Sequence, residues 1–127
     1  RLAVTASVDA MNYLKPLPLG HSVCVETYIS GTGKKSVEVF CKVIGEDVLN
    51  GERYLAATSF WTFVALPRDG ETDFTVDAIV PETDEEKFIC SGYEERRKAR
   101  LEQLGRQEAL MEHITVVKPW NLEENES

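Results

Sequence analysis

Four stretches of the chain alternate between apolar and polar residues with a period of two, the mark of strands with one buried face. In residues 2–11, Val4, Ala6, Val8 and Ala10 fall on one side and Thr5, Ser7, Asp9 and Met11 on the other. In residues 21–30, Val23, Val25, Thr27 and Ile29 share a face. In residues 35–44, Val37, Val39, Cys41 and Val43 oppose Glu38, Phe40 and Lys42. Residues 54–66 form the longest apolar run, with Phe60, Trp61, Thr62, Phe63 and Val64, and are apolar on both sides. That run predicts a central strand covered on both faces. The separators are turn formers: Lys15-Pro16-Leu17-Pro18 with Gly20, then Gly31-Thr32-Gly33-Lys34, Asn50-Gly51, and Pro67 with Asp69-Gly70. Links this short make the sheet antiparallel and the second and third strands a hairpin.

After a polar linker the pattern changes. Thr83-Asp84-Glu85-Glu86 reads as a capping box, with an acidic first turn that suits the helix dipole. It predicts a helix from Asp84 to about Leu104, weakened at Ser91-Gly92 and closed near Gly105, one further turn at 107–112, and a loose tail from His113. Glu94 with Lys98 and Glu102 with Arg106 are correctly oriented i,i+4 pairs, and the basic run at 96–100 reads as a solvated face. The helix has only a thin apolar stripe of Phe88, Ile89, Tyr93, Leu101 and Leu104, too little to fill a core against four long strands. The core is therefore expected to be completed by another chain or by a segment before Arg1. An opening without Met, directly in a strand pattern, favours the second.

Composition narrows the function. A chain of 127 residues suggests one domain, and no apolar run approaches the length of a transmembrane helix. A net charge of −8 argues against nucleic acid and anionic membranes as partners. An anionic ligand would need a local basic patch. Cys24, Cys41 and Cys90 are widely spaced, so they form neither a zinc motif nor a disulfide framework, and they read as reduced thiols in a cytoplasmic protein.

Several segments together carry a resemblance. Val4-Thr5-Ala6-Ser7-Val8-Asp9-Ala10-Met11-Asn12-Tyr13-Leu14-Lys15-Pro16-Leu17 with Gly20 resembles the second strand of the cytosolic acyl-CoA thioesterases (acyl-CoA hydrolases) of the hotdog superfamily. Thr32-Gly33-Lys34-Lys35-Ser36-Val37-Glu38-Val39 is similar to that family's next hairpin. Gly51-Glu52-Arg53, Thr58 and Phe60-Trp61-Thr62-Phe63-Val64-Ala65-Leu66 resemble its last long strand. Pro81-Glu82-Thr83-Asp84-Glu85-Glu86-Lys87 and Tyr93-Glu94-Glu95-Arg96-Arg97 resemble the appended helix. The resemblance spans roughly residues 3–104 and implies an α+β hotdog fold, a curved antiparallel sheet around a central helix. It divides the chain into a hotdog domain at 1–82 without the family's first strand and core helix, a helical extension at 83–112 and a tail at 113–127. It further implies a homo-oligomer, a dimer or a trimer of dimers, with active sites between subunits. The implied reaction is hydrolysis of fatty acyl-CoA to free acid and CoA, with no metal and no cofactor. In the family an acidic residue on the central helix and backbone donors at its start perform the chemistry. Both would lie before Arg1, so no residue here is assigned as catalytic.

Binding chemistry is more visible. CoA carries a 3′-phosphate and a pyrophosphate, which call for cations and backbone N–H groups. Gly33, Lys34, Lys35 and Ser36 offer both in one turn, although a plain hairpin turn explains them equally well. Asn12 and Lys15, at a strand end, are candidates for lining the ligand channel, and Arg53 for meeting phosphate or a neighbouring acid. His21, His113 and Asp9 have plainer readings: a surface residue, a tail residue and a structural hydrogen bonder. No nucleophile elbow or triad is present. Two alternatives share the fold: a non-catalytic acyl-CoA-binding module, which the lack of a basic DNA-binding segment disfavours as part of a regulator, and a dehydratase, whose hydration motif is absent.

Overall fold

The computed structural model describes residues 1–121. Four strands come first: β1 (Ala3–Tyr13), β2 (Ser22–Thr32), β3 (Ser36–Glu46) and β4 (Arg53–Ala65). Two helices follow, α1 (Asp84–Ser91) and α2 (Tyr93–His113), then a 3₁₀ turn at Pro119–Asn121. The strands form one antiparallel sheet in the order β1-β4-β3-β2. The first strand thus pairs with the last, and β4 is central as its apolar run predicts. The connection from β1 to β2 must cross the whole end of the sheet. Leu14 and Lys15 both donate their backbone N–H to the Ala56 carbonyl, at 2.8 and 3.2 Å, which ties the crossing to β4.

The register assigns side chains to two faces. Tyr28, Phe40 and Phe60 stack as cross-strand neighbours on one face, flanked by the rows Glu26–Lys42–Thr58–Asn12 and Glu38–Thr62–Ser7. The other face carries Ile29–Val39–Trp61–Val8 and Val25–Val43–Ala57–Tyr13. Glu38, on the first face, is 1% exposed with Ser30 donating to it at 2.7 Å, whereas Val25, on the apolar face, is 58% exposed.

Three expectations need correction. The clean alternation in β1 fails, because irregularities between Thr5 and Ser7 and between Asp9 and Asn12 shift the register. Thr5 pairs with Phe63 but Ser7 with Thr62, so Thr5 and Ser7 occupy opposite faces, as do Val4 and Val8. β4 is central, yet only Ala56, Ala57, Ser59, Thr62 and Ala65 along it are buried, so its aromatic residues are not covered on both sides. Gly105 does not end the helix. α2 runs through it to His113, because the single intrinsic penalty of a glycine is outweighed by strong helix formers around it. The expected weak point at Ser91-Gly92 is the real break: Gly92 caps α1 and α2 starts at the next residue.

The capping box forms with one difference. Glu86 N–H donates to the Thr83 hydroxyl at 3.1 Å, while the Glu86 carboxylate accepts from the Glu82 N–H at 2.9 Å. The chain falls into two compact units, Arg1–Tyr93 and a second beginning at Glu94. The end of the tail expected at 113–127 lies outside the described residues.

Candidate functional site

The seven residues singled out for CoA binding fall into two groups. Ser36 pairs with Val64 at one end of β4, whereas Asn12 pairs with Thr58 and Arg53 opens the strand. Val64 and Thr58 are six positions apart, about 20 Å of extended strand. Gly33, Lys34, Lys35 and Ser36 thus sit at one end of the sheet, and Asn12, Lys15 and Arg53 toward the other.

The first group is a tight turn: Gly33 N–H donates to the Ser36 carbonyl at 2.9 Å. Its glycines have a packing role. A Cβ added at Gly31 would lie 2.0 Å from the Tyr93 ring, and one at Gly33 would lie 2.6 Å from the Ser36 hydroxyl and 3.4 Å from that of Tyr93. Tyr93 is buried across this pair of glycines, and its hydroxyl has no hydrogen-bond partner among the described residues. The segment after β4 closes over the turn. Val76 N–H donates to the Lys34 carbonyl at 2.8 Å, and Phe74 lies beneath two cations, the Arg1 guanidinium at 4.0 Å and the Lys35 ammonium at 5.2 Å from its centroid. Arg1 is further held by Glu71 at 2.7 Å and by the Leu66 carbonyl at 2.9 Å.

The second group lies where the β1–β2 crossing meets the β3–β4 turn. Lys15 lines both an apolar groove, with Met11, Tyr13, Leu14, Leu17, Val43 and Ala57, and a polar pocket. That pocket contains His21, and here the plain reading of a surface histidine is corrected. His21 is half-buried, its Nδ1 is 2.7 Å from the Tyr54 hydroxyl, and its Nε2 is 3.9 Å from an Asp47 carboxylate oxygen. Tyr54 lies over Gly45, where an added Cβ would be 2.3 Å from the ring. The partners are 33 and 26 residues away, beyond any local signal. Arg53 is exposed, facing Glu46 across the ladder. His113 ends α2 and is exposed. Asp9 is a structural hydrogen bonder, accepting from the Ser7 and Thr62 hydroxyls at 3.3 and 3.4 Å.

Sequence reasoning missed one charged network. Glu85, in the first turn of α1, accepts from both Lys42, at 2.9 and 3.0 Å, and the Tyr28 hydroxyl, at 2.9 Å. Lys42 also reaches Glu26 at 3.4 Å. The hydrogen bond from Lys42, and then that from Tyr28, hold the Glu85 carboxyl below its ordinary range. The bond to Glu85 raises the Lys42 ammonium, and burial followed by Glu85 raises the Tyr28 phenol. The network clasps α1 to the polar face.

Comparison with known proteins agrees with this architecture. The family model for the thioesterase superfamily matches residues 1–51. An uncharacterized acyl-CoA thioester hydrolase of Bacillus subtilis is 43% identical over 120 residues, covering 94% of this chain and 69% of that protein. An acyl-CoA hydrolase of Staphylococcus aureus, solved in complex with butyryl-CoA, CoA and CoA disulfide, superposes with a TM-score of 0.78 at 32% identity, over 87% of this chain and 67% of its own. A hexameric acyl-CoA thioesterase superposes with a TM-score of 0.71 at 30% identity, over 80% of this chain and 65% of its own.

Proposed function

The chain belongs to the thioesterase superfamily and has its hotdog fold, and on that premise we propose that it hydrolyses acyl-CoA thioesters to free acid and CoA. The observation that carries the reading is the 43% identity to an acyl-CoA thioester hydrolase across nearly the whole chain. The reaction needs a carboxylate or imidazole to activate water, donors for the oxyanion, and a seat for CoA. The described residues supply the seat. The Lys34 and Lys35 ammonium groups, with the Ser36 hydroxyl and the backbone of the turn at Gly33, suit the CoA phosphates. Asn12 and Lys15 suit the channel toward the thioester, and Arg53, exposed opposite Glu46, suits a phosphate or that acid. Asp9 is occupied by two hydroxyls and is not assigned the base. The reaction is proposed to run without a metal or cofactor.

A homo-oligomer is part of the same proposal, with a trimer of dimers as its expected form. Its support is the hexameric neighbour, and it lets the two groups of binding residues reach one ligand from neighbouring copies. Three free cysteines support a cytoplasmic location, and the acyl-CoA thioester hydrolase relative supports a part in fatty acid metabolism. No helix among the described residues is long and apolar enough to cross a membrane. The decisive experiment follows CoA release from butyryl-CoA and palmitoyl-CoA with a thiol reagent. With the family's acidic residue and oxyanion donors present alongside these residues, steady turnover is the expected result. Tight binding of acyl-CoA with no thiol released would replace the hydrolase with the non-catalytic module.

A further inference from the structure

Past Tyr93, no residue of α2 is buried, and Leu101, Leu104 and Met111 are 50%, 49% and 71% exposed. Helices are held in water mainly by packing one face against something, and α2 carries such a face. Glu94, Arg97, Leu101, Leu104, Glu108 and Met111 follow one another at alternating steps of three and four residues, the spacing of a coiled-coil seam. All six are exposed.

The order of residue types along the seam selects the partner. The seam is complementary to its own reverse. Turned end for end about its middle, it sets Leu101 against Leu104, Arg97 against Glu108 and Glu94 against Met111. Each contact then occurs twice, as a two-fold axis requires. Laid parallel and in register, the same seam would set Arg97 on Arg97 and Glu108 on Glu108. The rest of the helix agrees. Residues 94–101 carry four cations against two acids, and residues 102–113 carry three acids against one arginine. Only the antiparallel arrangement brings these halves together with opposite signs. Within its own helix Glu108 has no cation three or four residues away; the residues there are Leu104, Gly105, Met111 and Glu112. Gly105 borders the seam. A Cβ added to it would meet nothing within 4 Å, so no contact among the described residues accounts for a glycine that weakens the helix. The close approach of a second helix does account for it.

We propose that α2 pairs antiparallel with α2 of a second copy of this chain, adding a two-fold contact to the homo-oligomer; this rests on the homo-oligomer reading. The seam is about 25 Å long, too short to hold two free chains, and it acts between copies that another contact already keeps together.

The test reads the mass of the whole protein by sedimentation at low salt, over a range of protein concentrations. Arg97→Glu sets like charges against the second copy's Glu108 at both ends of the seam, and Glu108→Arg does the same against Arg97. Each should raise the concentration at which the assembly comes apart by about tenfold or more. Arg97→Glu combined with Glu108→Arg restores the pair with its signs exchanged and should return the parent's value. Positions 97 and 108 lie about 16 Å apart on one helix, so rescue reports contact between copies. Arg106→Glu, on the opposite side of α2, should change nothing. Unchanged dissociation in both single variants, or a double variant no better than either, would overturn the α2 seam and leave the homo-oligomer standing. A monomeric parent would remove both.

Discussion

The two ends of the sheet solve one packing problem in the same way and finish it differently. At one end Tyr93 lies across Gly31; at the other Tyr54 lies across Gly45. Each glycine lets an aromatic ring rest directly on strand backbone. The hydroxyls part company. That of Tyr93 is buried without a hydrogen bond among the described residues, whereas that of Tyr54 meets His21 and opens on a pocket. The first ring packs on the β2 backbone at Gly31. The second begins a polar chain through His21 toward Asp47, beside the groove.

The largest effect should come from removing a seat. Gly31→Ala sets a Cβ where the Tyr93 ring stands, and about 2–3 kcal/mol of unfolding free energy should be lost in urea titration. Unchanged stability would show that Tyr93 moves aside at no cost.

Charge separates the ends next, because two lysines crown the Tyr93 end. Lys34→Ala with Lys35→Ala should raise KM for acyl-CoA about tenfold or more while kcat changes little. An unchanged KM would take the phosphates away from this turn.

The hydroxyls give the most direct contrast. Tyr54→Phe leaves His21 without its partner and should cost about 1 kcal/mol. Tyr93→Phe removes a buried hydroxyl that makes no bond and should be neutral or slightly stabilising in the same chemical denaturation. Equal losses would mean the two rings are equivalent after all.

The smallest effect concerns the clasp between α1 and the sheet. Because the folded Glu85 carboxyl is depressed, its contribution is present above its unfolded value, about 4.3, and is lost as pH falls through the folded value. The raised Lys42 behaves oppositely: its contribution is present below about 10.4 and is lost as pH rises through the folded value. Glu85 is about half exposed, so solvent holds the effect under about 1 kcal/mol. Comparing the parent with Glu85→Gln from pH 3 to pH 7 should show the difference fading at the acid end.

The strands and the capping box were legible because their signals are local. Alternation is written in consecutive residues, and Thr83 and Glu86 are one turn apart. The strand order was not, because alternation says which side chains share a face and nothing about which edges meet. A register shift near Ala6 is invisible for the same reason: it appears only when β4 is set alongside. The site was half legible. Lysines, glycines and a serine in one turn suggest phosphate, but Gly31 and Gly33 answer to Tyr93, some sixty residues on. His21 looked idle because Tyr54 and Asp47 reach it only after the sheet forms.

The order β1-β4-β3-β2 also sets a timetable for folding. β2, β3 and β4 form a meander of neighbours that can zip locally, but Ala3 must find Ala65 at the far end of the strand region. β1 is thus expected to be the last of the four strands to pair. Until it arrives, β4 is an open edge carrying Phe60, Trp61, Phe63 and Val64, the composition that recruits another chain in cross-strand association. Refolding yield should therefore fall with protein concentration more steeply than equilibrium stability suggests, and a synthetic peptide of the β1 sequence, added in trans early in refolding, should compete for that edge.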